Sequence, residues 1–132
     1  IAHIGVRPQS YKNFKDIKVK GKNKKEREDL IELAKNAEEY GAKVILLECI
    51  YSETAKLITS NVAVPTIGIG ASKYCDGQVL VFDDLVNLSS GYLKPKFVKN
   101  YMNFTNLAKI AVKNFNNDVK SKKFPSKKYS YN

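Results

Sequence analysis

Two side chains in this sequence have the type and placement to move a proton. Glu48 closes the run Val44-Ile45-Leu46-Leu47-Glu48-Cys49, four aliphatic residues without alternation followed by an acid set between Leu47 and Cys49. A carboxylate in apolar surroundings loses solvation, so it is either paired or kept for chemistry. In α/β barrels and open α/β sheets the catalytic groups sit where strands end. Glu48 is therefore the first candidate for a reacting group, set against the plainer reading of a strand-end acid paired with a neighbouring Lys. His3, the only histidine, lies in the apolar opening Ile1-Ala2-His3-Ile4-Gly5. A lone His in such a strand is more often a hydrogen-bonded core residue than a catalyst. Adjacent parallel strand ends nevertheless converge on one pocket, which makes a joint His3–Glu48 site the sharper alternative.

Other residues offer less. Gly68-Ile69-Gly70-Ala71-Ser72 has neither the third glycine of a dinucleotide loop nor a Gly-Lys-Ser/Thr phosphate loop. Its glycines read as strand-end positions that admit a substrate, or as tight packing. Asp83 and Asp84 would point to opposite faces of a strand, so a helix cap or solvated turn suits them better than a metal. Asp76 beside Gly77 reads as a turn residue. Cys49 and Cys75 have no metal-ligand spacing and are too few for a disulfide framework. Cys49 reads as a small buried hydrophobe, and a reducing, intracellular compartment fits.

The elements that must position these groups follow from the pattern. The chain has 132 residues, 43% hydrophobic and 27% charged, enough for one soluble domain with a real core. No apolar run has the length of a membrane span. A strand over residues 1–5 is followed by a turn at Arg7-Pro8-Gln9-Ser10 and a lysine-rich loop from Tyr11 to Lys25. A helix from about Lys25 to Tyr40 carries the stripe Leu30, Leu33, Ala34, Ala37 and Tyr40, with Gly41 ending it. The central run reads as a strand buried on both faces. Ser52 caps a short helix through Ile58, and Thr66 to Gly70 makes a third strand. Gln78 to Phe82 makes a fourth, ending in Asp83-Asp84. Basic helical structure around Phe97–Met102 and a longer helix from about Asn106 to Val119 follow, with a polar tail from about Lys120. Buried strands separated by helices imply a parallel sheet, either a small open sheet or half of an eight-stranded barrel.

The net charge of +10, from 23 basic and 13 acidic residues, suits an anionic partner in general. No aromatic-basic stacking motif or DNA-binding pattern accompanies it, so a nucleic-acid role is disfavoured. The chain opens inside an apparent strand and its only methionine is Met102, which reads as a piece of something longer.

Taken in order, His3-Ile-Gly5-Val-Arg-Pro8-Gln9-Ser10, Leu47-Glu48-Cys49, Pro65-Thr-Ile67-Gly68-Ile69-Gly70-Ala71, Asp76-Gly77-Gln78-Val79-Leu80, Phe97-Val98-Lys99-Asn100-Tyr101 and Phe124-Pro125 resemble ketopantoate hydroxymethyltransferase from end to end. The resemblance implies a (β/α)8 TIM-type barrel, with residues 1–132 as the carboxyl-terminal half of one barrel domain. It implies transfer of a hydroxymethyl group from 5,10-methylenetetrahydrofolate to 3-methyl-2-oxobutanoate, giving ketopantoate for pantothenate and coenzyme A, with Mg²⁺. Glu48 would then remove the C3 proton of the keto acid and His3 would orient the substrate. Partial desolvation makes a carboxylate a better base, which agrees with the residue-level reading of Glu48. The Mg²⁺ aspartates and the lysine that grips the keto-acid carboxylate would lie on earlier strands, leaving no metal ligand in this chain. Ser72 stands where the family commonly has glycine, and Tyr129 where its tail often has histidine. A homo-oligomer, the missing amino-terminal half as partner, no membrane, and a cytoplasmic location (mitochondrial in a eukaryote) are further implications. Two rivals remain. One is another 2-oxo acid enolate enzyme of the phosphoenolpyruvate mutase/isocitrate lyase type, and the other an inactive half-barrel remnant or basic binding module.

Overall fold

A computed structural model describes residues 1–12, 16–88 and 94–131. They form two compact units, one built on residues 1–80 together with the segment ending at Val98, the other on the segment from Val81 and the residues from Lys99 onward. The first unit holds a parallel sheet of β1 (Ala2–Gly5), β2 (Ile45–Glu48), β3 (Thr66–Ile69) and β4 (Gly77–Gln78), in the sequential order β1-β2-β3-β4. Helices α1 (Lys24–Glu39) and α2 (Ser52–Asn61) make the first two crossovers. Sequential parallel strands with intervening helices are the layout of half a (β/α)8 barrel.

Local chemistry sets each boundary. Asn23 Oδ1 accepts from the Glu26 N–H, and Glu26 Oε2 accepts from the Gly21 and Lys22 N–H groups, so orphan donors at the α1 start are satisfied reciprocally. At its end the Gly41 N–H bonds the Glu38 carbonyl and the Ala42 N–H bonds that of Ala37, a C-terminal cap that requires the positive φ of +93° at Gly41. Glu38 then ties the chain ahead of β3, accepting from the Ala63 and Val64 N–H groups.

The core lies between the sheet and its helices. Ile4, Ile45 and Leu47 point into it and meet Ala34, Ala55 and Ile58, each such large aliphatic side chain contributing about 1.5–3 kcal/mol. β2 is thus buried on one face only: Ile45 and Leu47 are buried, while Leu46 and Glu48 are half-buried on the other face. An unbroken apolar run could not distinguish these cases, because Leu46 is apolar on the less covered side. In the α1 stripe Ala34 is buried and Leu30 and Ile31 pack against the core, but Leu33 and Tyr40 are exposed, so the packed face is rotated from the expected one.

Several expected elements take other forms. Ser52 is the first residue of α2 rather than its cap, and its hydroxyl donates to Ser72 Oγ instead. The fourth strand is confined to Gly77–Gln78, plus the Val79 N–H on the Gly68 carbonyl. Val79, Val81 and Phe82 are exposed, and Phe82–Leu85 forms a helical turn, α3. Asp83 and Asp84 fall in its first turn, where the helix dipole favours acids. Around Phe97–Met102 there is a turn and irregular chain rather than a helix, the turn closed by the Val98 N–H on the Pro95 carbonyl.

The second unit is described by itself. Helix α4 (Phe104–Lys120) is capped by Asn103 Oδ1 on the Asn106 N–H. The Phe104 N–H bonds the Val86 carbonyl, and Thr105 Oγ1 donates to that of Asn87. Phe115, Phe124 and Tyr129 bring their rings together, at centroid separations of 5.4 and 5.9 Å. The polar tail therefore also carries an aromatic contact.

Candidate functional site

The sheet register decides which side chains share the face away from the helices. His3 pairs with Leu46 and Gly5 with Glu48 across β1–β2, and Leu46 pairs with Ile67 and Glu48 with Ile69 across β2–β3. Since paired residues in a parallel ladder project to the same side and alternate along the strand, His3, Leu46, Glu48, Ile67 and Ile69 form one surface. His3 sits two residues before the level of Glu48 on the neighbouring strand, and the two side chains meet: His3 Nε2 lies 3.1 Å from Glu48 Oε2. Their side chains retain 32% and 15% exposure respectively, so the carboxylate is largely shielded while the imidazole keeps contact with solvent. The joint site expected from the sequence is therefore brought together. Glu48's partner is His3 rather than a lysine.

The ring nitrogen thus lies against one oxygen of the carboxylate. Half-buried Leu46, Ile67 and Ile69 supply apolar wall beside it. Such a surface suits a small, partly apolar molecule set beside a carboxylate able to accept a proton.

The backbone fixes Glu48 from behind. The Val6 N–H bonds the Glu48 carbonyl and the Cys49 N–H bonds that of Ile69. At Cys49 the chain takes φ +52°, an unusual value for a non-glycine residue. The Lys20 N–H then bonds the Cys49 carbonyl, and the Tyr51 N–H bonds that of Lys20. Lys20 thus pairs with Ile50 inside the stretch expected to be pure loop. Buried Thr54 anchors the same stretch, donating from Oγ1 to the Gly21 carbonyl at 2.6 Å. Sequence reasoning missed this brace because every acceptor in it is a backbone carbonyl. Cys49 is buried as expected, and burial first, then the Glu48 carboxylate, pushes its thiol pKa up.

The remaining candidates stay apart from chemistry. A side chain at Gly68 would run into Gln78 and Cys75, so that glycine serves packing. Gly70 faces the ring of Phe97, also within the first unit. Asp76 accepts from the Thr66 N–H at 2.8 Å and from Thr66 Oγ1 at 3.0 Å. These bonds, backbone first, hold its carboxyl below the usual range. Among the described residues no group of three or more His, Cys, Asp or Glu gathers as a metal site. The residues present do not by themselves fit Mg²⁺. No helix among them is long and apolar enough to cross a membrane.

Comparison with known proteins bears on this geometry. Residues 1–127 match the model of the ketopantoate hydroxymethyltransferase family. The chain is 47% identical over 131 residues to a 3-methyl-2-oxobutanoate hydroxymethyltransferase of Clostridium botulinum, covering 99% of this chain and 47% of that protein. Against enzymes of that name from Pseudothermotoga lettingae and Pelagibacter ubique the identities are 46% over 125 residues and 49% over 131, covering 95% and 99% of this chain and 47% and 49% of theirs. The chain spans about half the length of the curated relatives it matches.

Proposed function

The chain belongs to the ketopantoate hydroxymethyltransferase family, and on that footing we propose that it carries the base and part of the pocket for hydroxymethyl transfer to 3-methyl-2-oxobutanoate. The observation that carries the reading is the 3.1 Å contact of His3 Nε2 with Glu48 Oε2 on the half-open sheet face. Glu48 takes the proton from C3 of the keto acid as the C3–H electron pair moves into the C2–C3 bond and charge develops on the carbonyl oxygen. His3 orients the carboxylate and the substrate. Leu46 and Ile69 face the branched alkyl group. Water adds to the methylene carbon of 5,10-methylenetetrahydrofolate and its two C–N bonds break, releasing tetrahydrofolate and the carbon as formaldehyde. The enolate carbon adds to that carbonyl carbon, whose oxygen takes the proton held by Glu48 and becomes the hydroxyl.

Mg²⁺ would act as a Lewis acid on the keto acid, but the described residues provide it no donor set. On this reading residues 1–132 are half of one (β/α)8 barrel domain. The remaining half supplies the metal ligands and the lysine for the keto-acid carboxylate, and the enzyme works as a cytoplasmic homo-oligomer.

The test is deuterium exchange at C3 of 3-methyl-2-oxobutanoate, followed by NMR in D₂O with Mg²⁺ and without folate. It is run on the chain and on a chimera in which the chain replaces the matching 131-residue segment of the Clostridium botulinum relative. Exchange is expected in the chimera, falling at least ~100-fold in Glu48→Gln, the low end of what a positioned base contributes. A Glu48→Gln chimera that exchanges at the parent rate, or a folded chimera that does not exchange, overturns the proposal.

A further inference from the structure

Phe97 stands in a segment that the chemistry above leaves without a role, yet it lies at the same sheet end as the base. A Cβ built on Gly70 would fall 2.5 Å from Phe97 Cδ1, 2.8 Å from Cγ and 2.9 Å from Cε1. Nearly equal distances to three consecutive ring atoms put that point above the ring plane; beyond the edge, the outer two atoms would lie distinctly farther away than the middle one. The Gly70 backbone therefore packs on one face of the ring. Phe97 as a residue is only half-buried. Gly70 follows Ile69, the register partner of Glu48. Strand spacing and rise then place the Gly70 and Glu48 Cα atoms about 6 Å apart.

The geometry points to Phe97 as the stacking platform for the flat bicyclic heterocycle of the reduced-folate one-carbon donor. The assignment rests on the proposed reaction and adds to it the seat of the second substrate. A keto acid small enough to lie on the His3–Glu48 face does not need an aromatic plane at the strand end. A planar heterocycle that must bring its carbon to that face does, and aromatic faces hold such rings through their π surfaces. The missing Cβ at position 70, where φ is +62°, lets the ring lie close over the strand end. The net charge of +10 also suits a co-substrate that bears carboxylates.

The test is binding of tetrahydrofolate to the same chimera, titrated by fluorescence for the parent, Phe97→Tyr and Phe97→Leu. Phe97→Tyr should bind like the parent and Phe97→Leu about five- to a hundredfold more weakly, the range a stacked ring contributes. In the parent carrying ring-labelled phenylalanine, tetrahydrofolate should shift the Phe97 ring resonances upfield, a readout that needs no variant to fold. Equal affinity of Phe97→Leu and parent, equal losses in both variants, or unmoved ring resonances overturn the assignment. Its failure is separable from that of the reaction. C3 exchange dependent on Glu48 without aromatic-dependent folate binding sinks the platform alone. Aromatic-dependent folate binding without exchange sinks the base and leaves the platform standing.

Discussion

Replacing Gly70 with alanine should destabilise the protein through two separable causes. The backbone there has φ +62°, a region that costs an L-residue roughly 1–2 kcal/mol. The new methyl would sit 2.5 Å from Phe97 Cδ1, against about 3.5–4.0 Å for comfortable carbon contact. The ring must withdraw by about 1 Å, and overpacking of this kind costs about 1–3 kcal/mol. The sum is about 2–5 kcal/mol, large beside a domain stability of about 5–15 kcal/mol. Gly41 provides the internal control: its φ is +93°, and a Cβ there meets nothing within 4 Å. Gly41→Ala should pay only the backbone part, about 1–2 kcal/mol. Urea unfolding measures both through the midpoint at unchanged slope. Repeating Gly70→Ala in a Phe97→Leu background should recover part of the excess, since the smaller side chain can yield. A Gly70→Ala cost equal to that of Gly41→Ala, or an excess undiminished in the Phe97→Leu background, would refute the packing argument.

Thr54→Val keeps volume but removes the donor to the Gly21 carbonyl at a buried position. A loss of about 1–3 kcal/mol in the same unfolding measurement is expected. Asp76 has its carboxyl pKa lowered by the Thr66 bonds, so its stabilising effect is present above the unfolded carboxylate value and disappears as pH falls through the lowered folded value. Asp76→Asn should therefore flatten the acid limb of stability against pH, and an unchanged limb would contradict the assignment. Cys49, buried with its thiol pushed up, should react with iodoacetamide at pH 8 more slowly than after unfolding in urea; rapid labelling of the folded protein would argue against its burial.

The periodicities that were legible in the sequence were those set by local chemistry. Gly41 marked the end of α1 because a C-terminal cap is satisfied within a few residues, while the Asn23–Glu26 box at its start, equally local, went unread. The order of β1, α1, β2, α2 and β3 followed from short apolar runs between such signals. Glu48 was singled out because an acid ending an aliphatic run has few structural uses. The fourth strand was misjudged because Val79, Leu80 and Val81 have strand-like side chains, whereas only Gly77 and Gln78 find ladder partners on β3. Side-chain type reports propensity, and pairing depends on a neighbour. The rotation of the packed face of α1, which leaves Leu33 and Tyr40 exposed, was hidden for the same reason.

What the sequence by itself determined is the parallel α/β class and the family through its spaced motifs, with the acid and the imidazole as its candidates for the site. These are properties of residue type and order. Only the tertiary structure decided that His3 reaches Glu48, because that contact depends on β1–β2 register, and a one-residue slip would send every side chain to the other face. It alone placed the Phe97 ring over Gly70, from 27 positions away in the chain. Such contacts are set by how strands pair and loops return, and a linear pattern of residues does not carry that information.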